Sequence, residues 1–241
     1  MKKLFYFLTA GTLLFASCSK DEVPPKTDAQ VITESIIQNL PEANVPGPMA
    51  GAADSLGSMI QQLVSLSPPA GSSFSTIPHE EVGTNQRRAV GDYKVYTWSQ
   101  EGMEYIYQLY EADTKYVIDL YFKHPQLSVS HLPYMHLEAD KDGQNGFYEI
   151  YSAFEDQETG AVDKTAVMNF AWNTDANGTL TYAADMMDIF DYQMVINADG
   201  SGTYTLNIFE ELAYEAAWDT TGAGWYKSYD EYGQVTDQGT F

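Results

Sequence analysis

From residue 91 to the C-terminus, hydrophobic and polar side chains alternate along the chain with a period of two. Met103, Tyr105, Tyr107 and Leu109 illustrate the pattern, because they occupy every second position of one segment. Successive side chains of a β-strand point to opposite faces, so this alternation is typical of strands. It predicts about ten strands, at residues 93–98, 103–110, 116–122, 127–137, 146–154, 165–172, 180–185, 192–197, 203–209 and 214–218, followed by two short ones.

Short segments rich in Asp, Asn and Gly separate the predicted strands. They include Asp142-Gly143, Asn177-Gly178 and Asp199-Gly200, which are typical of hairpin turns because such turns need positive φ angles. No helical pattern interrupts the series, so we expect a mainly β fold built as an antiparallel meander. A flat sheet of this size would leave long edges exposed, and we therefore expect it to curl into a barrel, a half-barrel or a sandwich.

Two segments ahead of the strands have the period of short helices. The first, residues 27–40, begins with a capping box of Thr27 and Gln30 and ends before Pro41. Its apolar stripe is Ile32, Ile36 and Leu40, with Val31 beside it. The second, residues 54–66, has the stripe Leu56, Met59, Ile60, Leu63 and Val64. Isolated helices of this length are marginal in water, so we expect both to dock on the sheet.

The charge of the chain limits its partners. Its 241 residues include 12 Lys and Arg against 34 Asp and Glu, which gives a formal net charge of −22. This charge repels phosphate backbones and anionic lipid head groups, so it argues against nucleic acid and favours a soluble monomer. The 18 Tyr, 11 Phe and 4 Trp residues supply enough apolar area for the core of one large β domain.

The N-terminus has the three parts of a signal peptide. Met1-Lys2-Lys3 is the positive part, residues 4–14 are the apolar part, and Ala16-Ser17 are the small residues before the cut. The apolar part is too short to span a bilayer, which takes about 20 residues. Cys18 follows directly and is the only cysteine of the sequence, so no intramolecular disulfide can form.

This arrangement resembles the lipobox of bacterial lipoproteins, in which the cysteine after the cut is acylated and becomes the new N-terminus. It departs from the usual pattern at Phe15, where Leu, Val or Ile is common. The next residues, Ser19 with Lys20, Asp21 and Glu22, resemble the surface-export signal of Bacteroidota lipoproteins, with a solvated charged tether as the alternative. The resemblance implies a protein that is anchored in the outer membrane through Cys18 and exposed at the cell surface.

The sequence predicts four regions: a signal peptide (1–17), the lipidated cysteine with a tether (18–26), two helices with Pro/Gly linkers (27–78) and an antiparallel β domain (79–241). Residues 224–233 resemble a MORN-type hairpin repeat, with the pattern Gly-aromatic-x-x-Tyr-Asp-x-x-Gly. The order of anchor, helices and long sheet is also similar to half-barrel lipoprotein carriers of the LolA and LolB kind. That second likeness concerns the fold alone.

One loop has residues that suit a calcium ion. Asp140, Asp142 and Asn145 could supply oxygen ligands from a single loop. The spacing departs from that of an EF-hand, because Gly143 is at the fourth position and Tyr151 stands where Glu is required. A plain hairpin turn is the favoured interpretation. No two histidines have the spacing of a zinc site, and we predict no metal or other cofactor.

The sequence contains no signature of catalysis. There is no Gly-x-Ser-x-Gly motif and no phosphate-binding Gly loop, so we name no catalytic residue. A chain with 34 acidic residues always contains pairs of carboxylates that could hydrolyse a glycosidic bond, so such pairs do not indicate a glycosidase. An enzyme is therefore the less favoured class.

Four tryptophans are candidates for stacking on sugar rings: Trp98, Trp172, Trp218 and Trp225. Core and cross-strand packing is the favoured interpretation of all four. Ser55, in Asp54-Ser55-Leu56, and Thr220, in Asp219-Thr220-Thr221, resemble the short O-glycosylation acceptor of Bacteroidota proteins.

Three functions compete. The first is a non-catalytic module that binds a glycan or another envelope polymer at the cell surface, which requires an anchor, a sheet and aromatic side chains. The second is a carrier of an apolar ligand, which requires an apolar cavity beneath the helices. The third is a hydrolase, which requires a deep cleft with two carboxylates about 5 Å or about 6.5–9.5 Å apart.

Overall fold

A computed structural model describes residues 25–53, 66–80, 89–123, 131–156, 159, 161–187 and 189–241. Within these residues, thirteen strands form one antiparallel sheet, in which every strand pairs with the next along the chain. This order confirms the mainly β fold and the antiparallel meander. The sheet is open, with its first and last strands at the two edges, so it is not a closed barrel.

The elements have the following bounds. Helix α1 is Asp28–Gln38, and a short 3-10 turn follows at Gly47–Met49. The strands are β1 Ser73–Glu80, β2 Ala89–Gln100, β3 Met103–Glu111, β4 Lys115–Lys123, β5 Leu132–Asp140, β6 Asn145–Glu155, β7 Val162–Thr174, β8 Leu180–Met186, β9 Phe190–Ile196, β10 Gly202–Ile208, β11 Glu211–Trp218, β12 Gly224–Tyr229 and β13 Val235–Thr240.

Helix α1 begins as its sequence predicts. The Thr27 hydroxyl accepts a hydrogen bond from the Gln30 backbone N–H, and the Gln30 side chain accepts one from the Thr27 N–H, which completes the capping box. The buried side chains of α1 are Ala29, Thr33 and Ile36. The predicted stripe is confirmed, because Ile36 lies in the core and Ile32 and Leu40 pack against it. Val31, expected beside the stripe, is 52% exposed.

One face of the sheet carries the core. Alternate residues of the strands turn toward this core face, where the largest fully buried side chains include Tyr107, Leu109, Ile118, Leu120, Leu137, Tyr148, Phe170, Trp172 and Met194. The intervening residues turn to the opposite face, which we call the open face, although Val95 and Tyr110 are buried on it. Each strand therefore carries two alternating sets of side chains, one on the core face and one on the open face.

The N-terminal segment crosses the core face and covers it. Thr33 and Tyr107 share a hydrogen bond of 2.9 Å between their hydroxyls, which joins α1 to β3. Farther along, the Tyr182 hydroxyl of β8 donates to the backbone carbonyl of Pro41. Docking of the first predicted helix is thus confirmed. The second predicted helix, 54–66, lies almost wholly outside the described residues, although residues 50–53 are helical.

The sheet begins earlier than the sequence indicates. Residues 27–78 were expected to contain only two helices and Pro/Gly linkers, but β1 starts at Ser73 and pairs with β2 from Ser73 opposite Thr97. Pairing with β2 stabilises the extended backbone of β1, and the local sequence pattern does not reveal that pairing. The hairpin turns agree with expectation, and Gly143 and Gly200 have positive φ angles of 75° and 85°.

Candidate functional site

A continuous row of hydrogen-bonding side chains crosses the open face. It passes through eight consecutive strands, β3 to β10, with one residue opposite the next in the strand register. We call this row the polar band, and its members are Gln108, Asp119, His136, Glu149, Asn169, Asp185, Asp191 and Asn207. Adjacent strands lie about 4.8 Å apart, so the band is about 34 Å long.

Core packing fixes the direction of each band side chain. Every member of the band is the immediate sequence neighbour of a core-face residue, as Asp119 is of Ile118 and His136 is of Leu137. Because side chains alternate along a strand, burial of the core neighbour turns the band residue outward. The sheet therefore presents the band on a rigid surface and not on a loop.

The β4–β5 part of the open face holds a chain of charges. Asp119 Oδ1 lies 2.8 Å from His136 Nδ1, and His136 Nε2 lies 3.4 Å from Glu138 Oε1. The Lys115 ammonium donates to the other oxygen of Glu138. With His136 protonated, the four side chains alternate in charge and sum to zero. Both ring nitrogens of His136 face carboxylates.

These contacts change the acidity of the groups involved. The hydrogen bond that the Asp119 carboxylate accepts from His136, aided by the charges of Asp119 and Glu138, raises the pKa of His136 despite partial burial. Partial burial opposes ionisation of Glu138, but Lys115 and His136 together lower its pKa. His136 therefore stays protonated up to a higher pH than a free histidine does.

The β7–β10 part of the band consists of amides and carboxylates. Asp185 lies directly opposite Asp191, and the Asn207 amide donates to both oxygens of Asp191 at 2.9 and 3.2 Å. Asn169, opposite Asp185 in the register, has a buried side-chain oxygen that finds no hydrogen-bond partner among the described residues. Two residues farther along the same strands, Ala171 and Ala183 lie opposite each other. Because both side chains are small, no bulky group stands beside this part of the band.

Aromatic rings border the band near β6. The Tyr151 hydroxyl donates to Glu149, and the Lys164 ammonium lies 4.2 Å from the centre of the Tyr151 ring. Burial, and then the Glu149 carboxylate, raise the pKa of Tyr151. The Phe147 ring lies 5.6 Å from the imidazole of His136. The band thus combines acceptors, donors and ring faces, which are the groups that bind hydroxyl-rich ligands.

Comparisons with known proteins add no assignment to this geometry. No protein-family model matches the chain, and no curated protein matches it.

Two of the four candidate tryptophans belong to the core. Trp172 and Trp218 are buried, and their indole N–H groups donate to the Gly143 and Gly200 carbonyls, each at 2.9 Å. Each indole joins the core to a hairpin turn. Burial removes both rings from the set that could stack on a sugar, as the packing interpretation predicts.

The other two tryptophans are accessible. Trp98 stacks on Tyr105, with ring centres 5.2 Å apart and an angle of 11° between the ring planes. Trp98 also lines a cleft of about 490 Å³, whose walls include Ser72, Gln100 and Glu104. Trp225 is 38% exposed, and Lys227 lies over its ring at 5.1 Å. The two rings are on β2 and β12, ten strands apart, so they do not form one platform.

The calcium candidates meet in the β5–β6 hairpin turn. Asp140 accepts a hydrogen bond from the Asn145 amide at 2.8 Å, and Asp142 accepts one from the Gln144 backbone N–H at 3.0 Å. Both carboxylates therefore have a role in the turn itself. Within the described residues, no group of three or more His, Cys, Asp or Glu side chains is arranged to hold a metal ion.

The remaining candidates lie mostly outside the described part of the chain. Cys18, the export residues Lys20, Asp21 and Glu22, and Ser55 are all in this group. Thr220 is described, and it is exposed in the β11–β12 turn between Asp219 and Gly222. In the part of the chain that the structure describes, no helix has both the length and the hydrophobicity to cross a membrane.

Proposed function

We propose that this protein is a non-catalytic binding module of the bacterial cell surface, and that its polar band binds a glycan or a similar hydroxyl-rich polymer. The observation that supports the proposal is the band itself, eight hydrogen-bonding side chains in register across eight strands. An extended ligand with a hydroxyl at each repeat can exchange hydrogen bonds with successive members, and Tyr151 and Phe147 supply ring faces beside them.

A carrier of apolar ligands fits the described residues less well. Such a carrier needs an empty apolar cavity under the N-terminal segment. The core face there is occupied by Ile36 and Met49 of the N-terminal segment, which pack against buried side chains such as Tyr107 and Leu137. The apolar face is used for folding, and the open face remains for a ligand.

A hydrolase also fits less well. His136 is the best general base on the open face, but its Nδ1 contacts Asp119 and its Nε2 faces Glu138. A base must reach the proton that it removes from a substrate, and both nitrogens are already directed at carboxylates. The charged chain is better suited to fixing the position of side chains that bind.

The attachment part of the proposal follows from the N-terminal sequence. Cys18 carries acyl chains that hold the protein on the outer membrane, and Lys20, Asp21 and Glu22 direct it to the outer leaflet. Each buried CH₂ of an acyl chain contributes about 0.8 kcal/mol to membrane binding. Protease treatment of intact cells should remove the domain, whereas Lys20→Ala with Asp21→Ala should protect it. Equal cleavage of both would refute surface export.

Binding is tested with the purified chain on an array of neutral and charged glycans, followed by calorimetric titration of each hit. The band variants are Asn169→Ala and Asp185→Ala, which alter the centre of the band. Gln238→Ala is the matched control, because Gln238 is exposed on the same face but lies on β13 outside the band. Trp98→Ala tests the cleft at β2 as the alternative site.

We expect the band variants to weaken glycan binding at least tenfold, which is about 1.4 kcal/mol, and the Gln238 variant to bind as the parent does. If Trp98→Ala lost glycan binding while the band variants kept it, the binding site would be the cleft at β2 and not the band. An array without any hit, together with saturable binding of fatty acids, would refute the proposal in favour of an apolar carrier.

A further inference from the structure

Three neighbouring turns at one end of the sheet expose large apolar side chains. They connect β8 to β9, β10 to β11 and β12 to β13, and therefore all lie at the same end of the strands. We call these side chains the apolar turn cluster, and its members are Met187, Ile189, Ile208, Phe209, Leu212 and Tyr232. Phe209 is 69% exposed and Tyr232 is 77% exposed.

The three turns form one continuous surface. The Phe209 backbone N–H donates to the Ile189 carbonyl at 2.8 Å, which joins the first two turns directly. The second and third turns share a cleft of about 470 Å³, lined by Glu211, Leu212, Tyr229, Glu231, Tyr232 and Gly233. The cluster is therefore a patch with a recess in it, and not a set of scattered apolar residues.

The backbone at the centre of the patch is strained. Phe209 and Glu210 have φ angles of +52° and +66°, in a two-residue hairpin turn that favours Asn-Gly. Left-handed backbone is unfavourable for residues other than Gly, Asn and Asp. At the opposite end of the sheet, the two described turns that join β9 to β10 and β11 to β12 use Asn197 or Asp219 with Gly200 or Gly222 and expose no large ring. Strained backbone of this kind clusters at functional sites such as ligand clamps and switch regions.

The charge around the patch defines its partner. The sequence segments 186–190, 208–212 and 229–235 contain acidic residues, among them Glu210, Glu211, Asp230 and Glu231, but no Lys or Arg. A net charge of −22 makes the chain repel a second copy of itself and anionic lipid. We propose that the apolar turn cluster docks a protein segment that presents apolar side chains flanked by Lys or Arg.

The test uses the full purified chain and two synthetic peptides, one alternating Leu with Lys and its counterpart alternating Leu with Glu. Binding is measured by fluorescence anisotropy at 0.15 M salt. The patch variant is Phe209→Ser with Tyr232→Ser. Val31→Ser is the control, because Val31 is similarly apolar and 52% exposed but lies on α1, far along the chain from the patch. Circular dichroism verifies that all variants are folded.

We expect the Leu/Lys peptide to bind, the patch variant to lose at least tenfold in affinity, and the control to retain it. Glu210→Gln with Glu211→Gln should weaken binding severalfold, with a smaller dependence on salt. Equal binding of the Leu/Lys peptide to the patch variant would show attraction by overall charge alone and overturn the proposal.

Three other outcomes also overturn it. If the Leu/Glu peptide bound as tightly as the Leu/Lys peptide, the acidic residues around the patch would not select a basic partner. Binding to phosphatidylcholine vesicles that the patch variant loses would identify a lipid surface as the occupant. Concentration-dependent dimerisation in sedimentation experiments, lost in the same variant, would identify a second copy of the chain.

Discussion

Replacing Ile36 with Ala tests whether α1 closes the core face. The Ile36 side chain is 2% exposed and belongs to the apolar cluster that contains Tyr107 and Leu137. The change removes three carbon atoms, which are worth about 2.4 kcal/mol at about 0.8 kcal/mol each. The cavity left behind adds to this cost, so we expect the free energy of unfolding to fall by about 2–5 kcal/mol.

The measurement is urea unfolding at 25 °C, followed by both tryptophan fluorescence and circular dichroism. Trp172 and Trp218 are buried on the core face, so their emission reports on the sheet and not only on α1. Val31→Ala is the matched control, because Val31 is on the same helix but exposed. Alanine has the higher helix propensity, so that variant should unfold within about 0.5 kcal/mol of the parent.

A small effect of Ile36→Ala would refute docking. If its free energy of unfolding lies within about 0.5 kcal/mol of the parent, α1 contributes little to the cooperative unit. The apolar face would then be accessible when α1 detaches, and the carrier hypothesis would become the better one. A large effect, with both probes changing together, would leave the open face as the surface for a ligand.

Three further predictions concern other parts of the molecule. The folded pKa of His136 is raised above the unfolded value of about 6.5, so its contribution to stability is full below that pH and is lost as the pH rises through the folded pKa. His136→Gln should therefore lower stability in urea more at pH 5.5 than at pH 8.5, and a loss independent of pH would contradict this. Gly146→Ala should destabilise by about 1–3 kcal/mol in thermal melts, because its Cβ would lie 2.2 Å from Trp172 Cζ2, whereas Gly51→Ala, with open space around it, should not. Mass spectrometry should find acyl chains on Cys18, and Cys18→Ala should move the protein to the soluble fraction; unchanged membrane association would refute the anchor.

Features that depend on nearby residues were predictable from the sequence. The capping box at Thr27 and Gln30 needs only residues three apart, and the structure forms it as predicted. The turn at Asp199-Gly200 is similarly local, since its geometry follows from the backbone freedom of glycine. The alternation of residues 103–110 identified β3 because the period of two belongs to the strand itself.

Features that depend on pairing were not predictable. The polar band exists only when Gln108, Asp119, His136 and Glu149 are in register, and no local pattern contains that register. Burial of Trp172 likewise follows from its position opposite Gly146, which leaves space for the indole. A polar residue beside each core residue was visible in the sequence, but which of them meet across strands was not.

The same register couples the fold to the proposed function. A slip of one residue between two strands would turn band residues inward and core residues outward, so packing of the core face holds the band in place. Bulges interrupt the register at Leu120/Tyr121, Ile150/Tyr151 and Leu206/Asn207, directly beside band members. On β6, Glu149 and Tyr151 are two residues apart and share a face, where the Tyr151 hydroxyl donates to Glu149. Substitution of the exposed band residue Asp185 should therefore change binding and leave stability nearly unchanged. Substitutions on the core face should change both, because they alter the register that aligns the band.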